Sequence, residues 1–445
     1  MKTLQVITLG CSKNTVDTEH LLYQVRNAYA IVPEGEEREH VDVLLINTCG
    51  FIGDAKEESV NTILSAVAAK QEGRYGKVLV FGCLSERYGR ELPELIPEVD
   101  GWFGARDLAP LVRALGCEPK EEPRRVLTRP GLPYAFLKIS EGCDRHCSYC
   151  AIPLIRGRHR SVPMETLVEE AKSLAAAGVR ELVIIAQDTT FYGLDLYKKR
   201  ALAELLRKLS AIEGIEWLRL HYSYPADFPE DVLDEMATNP KVCRYMDIPL
   251  QHIADSVLSK MRRGADGAWT RALIRRVREK VPGVALRTTL IVGHPGENPK
   301  DFLELMDFVR EARFERMGAF TYSEEEGTWG AEHLEDRISP KTKKNRLDKL
   351  MLLQREISRA CNAARIGTEV RVLVDAFTDG VLVCRSEFES PEVDGEILVR
   401  YDGEALGGIP PQSLVGTFLR VRIVAADAYD LTADPIGLDD KIRKQ

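Results

Sequence analysis

Short apolar runs alternate with amphipathic stretches twice along this chain, and few architectures satisfy that pattern. Residues 4–9, 41–47 and 77–82 are β-branched and apolar, and each is followed by a helical stretch. Strands buried on both faces with helices between them make a parallel α/β sheet. The alternation restarts at residue 134, with candidate strands at 135–139, 181–186, 216–221, 244–248, 285–292 and 314–321. Six consecutive β/α units predict a partial (β/α)6 barrel, because closure needs eight.

Between the two series lies a charged, proline-containing stretch at 118–133, which cannot bury a core and reads as a linker. A long polar helix is expected over 340–365. After it the helical period disappears, and strands at 369–375, 381–386, 395–400, 417–424 and 429–432 predict a small antiparallel β-barrel. The expected division is an α/β multidomain chain: an open parallel α/β sheet at 1–126, the partial barrel at 127–364 and the β-module at 365–445.

Composition narrows the class. Hydrophobic residues are 44% and charged residues 29%, as in a globular protein and unlike a disordered or collagenous one. No segment reaches the ~18 uninterrupted apolar residues that a bilayer span requires. The N-terminal run carries no small-residue cleavage site, so a cytoplasmic location is expected. The formal charge is −8, from 61 Lys and Arg against 69 Asp and Glu, which offers nucleic acid no overall attraction.

Ten cysteines without a secretory signal point to metal ligands, catalytic groups or core residues and not to a disulfide framework. Cys143, Cys147 and Cys150 form a C-x3-C-x2-C run just after the first barrel strand. Three thiolates on one loop can hold three corners of a cubane iron-sulfur cluster and leave the fourth iron open. A zinc knuckle with His146 as fourth ligand is the competing reading, although structural zinc usually pairs two C-x2-C elements and no second pair is present. Cys11, Cys49 and Cys83 each sit at or just past the end of a predicted strand of the first sheet. Carboxyl ends of parallel strands share one edge, where ligands collect, so topology gathers these three into a second site; the alternative is three small buried hydrophobes. Cys117, Cys243, Cys361 and Cys384 have no partner spacing.

A C-x3-C-x2-C loop opening a β/α barrel resembles the radical S-adenosylmethionine superfamily. With three upstream cysteines and a C-terminal β-module, the whole chain is similar to its methylthiotransferases, which end in a TRAM domain. LGCSKNTVDTE (9–19), EGCDRHCSYCAIP (141–153), IPLQH (248–252), TYSEEEGT (321–328) and SPEVDG (390–395) resemble the RimO-like subfamily, which modifies an aspartate of ribosomal small-subunit protein twelve. The MiaB-like tRNA adenosine enzymes, the alternative, show a GCQMN-like first motif. Thr18 stands where serine is commoner, and His294 replaces the usual aromatic of its turn.

The resemblance implies methylthiolation of the β-carbon of that aspartate, with the ribosomal protein as substrate. It implies two [4Fe-4S] clusters: Cys143, Cys147 and Cys150 for the one that cleaves S-adenosyl-L-methionine, and Cys11, Cys49 and Cys83 for an auxiliary one. It also implies a flavodoxin- or ferredoxin-like one-electron reductant. No residue is singled out as catalytic, since the clusters carry the radical chemistry, and neither a membrane nor direct tRNA binding is expected. Gln187, Asp188, Arg287, Thr288 and Gly293 lie at or near strand ends on the ligand-binding face of a barrel and are expected to contact the cofactor; strand-end polar residues with no such role fit equally. The basic run at 156–160 suits either a substrate channel or a solvated loop. Residues 365–445 hold nine Lys or Arg against fifteen Asp or Glu, a net of −6. An acidic module, with Glu392 and Asp394 in its PEVDG segment, suits a basic protein better than tRNA, unless it is merely a solvated surface or Asp394 serves a turn.

Overall fold

The computed structural model describes residues 1–120 and 122–439. Five parallel strands open the chain: β1 (Lys2–Thr8), β2 (Tyr29–Val32), β3 (Val41–Thr48), β4 (Tyr75–Gly82) and β5 (Gly101–Trp102), in the order β2-β1-β3-β4-β5. The central three are those the apolar runs predict. The short edges β2 and β5 carry too few residues to give a periodic signal. Leu44, Ile46, Val78 and Val80 face one helical layer, while Leu45 and Leu79 join Leu4 and Val6 against the other. Helix α1 (Ser12–Val25) follows β1, α2 (Gly53–Gln71) follows β3, and α3 (Cys83–Arg87) begins on the cysteine directly after β4.

The partial barrel is an open sheet in chain order. It consists of β6 (Tyr134–Lys138), β9 (Glu181–Ile185), β10 (Trp217–Leu220), β11 (Val242–Asp247), β12 (Ala285–Val292) and β13 (Arg316–Thr321), all parallel. A two-strand ribbon, β7 (Ser140–Glu141) with β8 (Arg160–Ser161), stands at the end of β6. Helices cover one face of the sheet, and the other face is covered by the two flanking domains. Val16 of α1 packs with Tyr134, Phe136, Val183 and Ile185. Leu373 and Phe418 of the β-module pack with Trp217, Cys243, Tyr245 and Ala285.

After the helix Pro340–Ala363 the module closes as β14 (Glu369–Thr378), β15 (Val381–Arg385), β16 (Ile397–Arg400), β18 (Leu431–Leu438) and β17 (Phe418–Ala426), in that spatial order. It is not wholly antiparallel. β16 and β18 pair in parallel, Ile397 opposite Leu431, because strands around a closed ring of odd number cannot all alternate in direction. No described helix is long and apolar enough to cross a membrane.

Two expectations change. The described residues of the linker at 118–133 form neither helix nor strand, but the Arg125 side chain is fully buried between Glu19 of α1 (3.3 Å) and Glu170 (3.1 Å) and so ties the first two domains together. Of the acids of segment 386–394, Asp394 and Glu389 are taken up inside the protein, while Glu392 stays exposed. Asp394 is buried and accepts from Tyr245 Oη at 2.7 Å. Glu389 is buried between Arg316 (2.9 Å) and Arg365. Glu387 pairs with Arg244 (2.8 Å), and Glu392 pairs with Arg129. The segment is laid against the barrel, where Arg244, Arg287 and Arg316 of the sheet meet part of its charge. Lys441, Arg443 and Lys444 lie outside the described residues.

Below this segment Glu181 is fully buried between Arg219 (2.6 Å) and Arg385 (2.7 Å), and Arg219 also donates to the carbonyl of Glu387 at 2.7 Å. Burial alone would raise the Glu389 carboxyl, but Arg365 and Arg316 outweigh it and hold the group down at about 2. A carboxylate depressed in the folded state adds stability that is complete above its unfolded value and is lost as pH falls toward the folded one. Glu389→Gln should therefore lower stability by about 3 kcal/mol at pH 7. The gap to the unmodified protein should narrow between pH 4.5 and 2, read as thermal midpoints across that range.

Candidate active site

Cys143, Cys147 and Cys150 lie on the loop between β7 and the helix Ile152–Arg156, at the carboxyl end of β6. Both ends of the loop are pinned. The β7–β8 ribbon pairs Ser140 with Ser161, and Cys143 N donates to Gly157 O at 3.1 Å. In the middle, Ser148 N donates to Met261 O (3.0 Å) and Ser148 O accepts from Gly330 N (2.7 Å). His294 backs this turn, its Nε2 3.4 Å from Ser148 Oγ and its ring edge-on to Tyr149 and Tyr322. Arg263 Nη1 donates to Cys147 Sγ at 3.3 Å and to Tyr149 Oη at 3.3 Å. Burial pushes the Cys143 and Cys150 thiols up to about 12. His146, the fourth ligand of a zinc reading, is exposed.

The other three cysteines do converge. Cys11, Cys49 and Cys83 follow β1, β3 and β4, and Cys11 and Cys49 lie close enough to Cys83 to add to the rise of its thiol pKa. Two glycines permit the approach. Gly10 and Gly82 both have positive φ, and a Cβ on Gly10 would stand 2.8 Å from Cys49 Cβ. Burial raises the Cys83 thiol to about 11, against the pull of Arg156. Among the described residues no three His, Cys, Asp or Glu side chains are grouped as for a single bound ion.

Arg156 joins the two sets. It ends the helix that follows the C-x3-C-x2-C loop, and its guanidinium donates to Cys83 Sγ at 3.2 and 3.3 Å. The same side chain reaches Asn14 Oδ1 (2.6 Å), Asp17 (2.7 Å) and Glu141 (3.2 Å). Lys138 closes the network on Asp17 and Glu141, and Gln187 donates to Glu141 at 2.6 Å. Burial would raise Glu141, but Lys138 and Arg156 hold it at about 2. Cys83 packs on Ala151 and Ile155. The basic run thus divides: Arg156 is buried, whereas Arg158 and Arg160 are exposed.

The donor sets suit clusters. Each comprises three thiols, on one loop or along one sheet edge, burial raises the thiols of Cys49, Cys83, Cys143 and Cys150, and each set has one guanidinium donating to a sulfur. Of the five expected cofactor contacts, Gln187 and Asp188 stand beside the cysteine loop. Asp188 pairs with Arg145 of that loop at 2.8 Å and caps the turn Thr189–Phe191. Arg287 turns instead to Asp247 (2.9 Å) and Asp394 of the β-module (3.6 Å). The Thr288 hydroxyl is used within the sheet, donating to Ile248 O and accepting from Leu250 N. Gly293 supports a turn at the end of β12, where a Cβ would strike the Lys343 side chain. Asn14 and Arg263 escaped the sequence reading, and Arg156 entered it only as one member of the basic run; Asn14 carried a signal in standing three residues beyond Cys11.

An open six-strand β/α sheet with a three-cysteine loop at its carboxyl end is the architecture of a radical S-adenosylmethionine enzyme, and the Radical SAM superfamily matches residues 137–309. Uncharacterized protein family UPF0004 matches 3–104 and the TRAM domain 366–436. The chain belongs to the ribosomal protein uS12 methylthiotransferase RimO family. It is 52% identical over 433 residues to the Porphyromonas gingivalis member and 50% identical over 434 residues to that of Phocaeicola vulgatus, in both cases across 97% of this chain and 98% of the relative. In fold it resembles the radical S-adenosylmethionine methyltransferase TsrM of Kitasatospora setae, with TM-score 0.55 and 17% identity over 72% of this chain and 75% of that one.

Arg156→Leu should leave Asp17 and Glu141 buried with less of their counter-charge and cost about 3 kcal/mol. Arg158→Ala, at an exposed site, should stay within about 0.5 kcal/mol. Denaturant midpoints of the two variants test the contrast.

Proposed function

We propose that this chain transfers a methylthio group to the β-carbon of an aspartate in ribosomal protein uS12, in the cytoplasm. The observation that carries the reading is near-complete coverage at half identity with enzymes of that name. A tRNA adenosine substrate is not favoured, since these relatives are named for a ribosomal protein. Cys143, Cys147 and Cys150 would hold a [4Fe-4S] cluster that binds S-adenosylmethionine, and Cys11, Cys49 and Cys83 a second one. When bound, the first supplies reductive cleavage of the sulfonium and so a hydrogen abstraction that no side chain of ordinary pKa can achieve at an unactivated carbon, while the second presents the sulfur. A flavodoxin- or ferredoxin-like protein would deliver the electron, and two molecules of S-adenosylmethionine would be used per product.

The chain's own residues then position and shield. Arg263 and Arg156 steady a sulfur in each set. Asp188 fixes Arg145 within the cysteine loop. Helix α1 and the β-module cover the helix-free face of the barrel and exclude water from it.

Two substitutions separate the roles. Cys147→Ala should abolish both 5'-deoxyadenosine formation and the methylthio product. Cys49→Ala should lose the product but retain 5'-deoxyadenosine formation. Each should drop the iron content from about eight to about four per chain. Chromatography of 5'-deoxyadenosine, mass spectrometry of uS12 and iron analysis under anaerobic conditions measure all three.

A further inference from the structure

Lys13 is the second residue of α1, two positions beyond Cys11, and is only 8% exposed. Its Nζ stands 3.1 Å from the ring centroid of Tyr222, at the carboxyl end of β10 in the neighbouring barrel. Among the described residues it has no ion pair and no side-chain hydrogen bond. The surrounding carboxylates are committed elsewhere. Asp17, one helical turn on, is held by Lys138 and Arg156. Glu141 serves Lys138, Arg156 and Gln187. Asp247 accepts from Tyr222 N at 2.9 Å and pairs with Arg287. An aromatic face alone is a poor exchange for the hydration of a buried ammonium. The charge is therefore poised for an anion that enters from outside.

Its surroundings are those of a ligand site. Tyr222 is a non-glycine residue with φ of 58°, a strained conformation of the kind that collects at ligand clamps. It is held there by Asp247 and by Thr189 N, which donates to its carbonyl at 3.1 Å. Ser223 Oγ and Gln187 Oε1, both beyond the carboxyl ends of barrel strands, are buried without a described partner. Lys13 comes from the Cys11 side of the domain junction and Tyr222 from the barrel side, so the ammonium lies between the two domains that carry the cysteine sets.

We propose that Lys13 receives the side-chain carboxylate of the substrate aspartate, with Tyr222 as the platform beneath it. The inference rests on the reading of the substrate as a protein aspartate. The reacting β-carbon is bonded directly to the carboxylate carbon, so a group that grips the carboxylate also places the β-carbon. An ammonium distinguishes a carboxylate from the isosteric amide of asparagine, for which it offers no counter-charge.

The test uses the anaerobically reconstituted full chain and a peptide spanning the target residue of uS12, in Asp and Asn forms. The native enzyme should bind the Asp peptide roughly tenfold or more tightly than the Asn peptide. Lys13→Arg should keep this preference. Lys13→Met and Lys13→Gln should lose it, with iron content and thermal midpoint matching the native enzyme. Equal binding of both peptides by the native enzyme overturns the proposal without any variant, and so does an unchanged preference in a folded Lys13→Met or Lys13→Gln. A native enzyme that leaves uS12 and the Asp peptide without a methylthio mass gain refutes the function itself. Methylthiolation by the native enzyme together with an unchanged preference in the variants refutes only the role of Lys13.

Discussion

One guanidinium carries the geometry on which the proposed chemistry depends. Arg156 is bound at once by two carboxylates, an amide oxygen and the sulfur of Cys83, and it is carried on the helix that immediately follows the C-x3-C-x2-C loop. Only a planar group with five donors can serve four partners in different directions, and its weak hydration makes burial less costly than for an ammonium. The N-terminal domain is thereby registered against the cysteine loop through charge, while Ala151 and Ile155 add apolar contact to the same cysteine. A displacement of either domain would unpair buried charges, so the spacing between the two sets of thiols is stiff.

The second constraint is the helix-free face of the six-strand sheet. A barrel lacking two strands leaves that face open, and both flanking domains are spent on covering it. Near the N-terminal ends of the strands the cover is the β-module, whose arginine and acids interlock with Glu181, Arg219 and Arg316. Beside β6 and β9 it is Val16 of α1. What is left is the tier at the carboxyl ends of β9 and β10, where Lys13, Gln187, Tyr222 and Ser223 gather.

The longer strands of both parallel sheets were legible because fully buried strands read as unbroken apolar runs, and the two groupings of cysteines because one set shares a loop and the other a sheet edge. β2 and β5 were not legible, being too short to show a period. The ring of the β-module was legible as strands but not in direction, since the parallel pairing of β16 with β18 follows from closure and not from any residue. Charge misled most. Glu389 and Asp394 look solvated in the sequence, and Arg156 looks like one member of a basic loop. Their burial depends on partners more than a hundred residues away in several cases, as with Tyr245 and Asp394, and composition has no access to such pairings. Arg287 and Thr288 sit on the right strand, but the first turns to the β-module and the second is used within the sheet.

The segment 386–394 also bears on how such a chain can be recombined. TRAM-type barrels look like interchangeable appendages, joined by one helix and folded around their own core. Here the connection between β15 and β16 leaves that core and supplies two carbonyls that accept from Arg219 and the Glu389 carboxylate that pairs with Arg316 in the adjoining domain. A graft that brought only the five strands from a distant homologue would leave Arg316 without its carboxylate and Arg219 without two of its acceptors inside the sheet. In evolution, and equally in engineering, the unit of exchange is the β-module together with the inner surface of the barrel it fills.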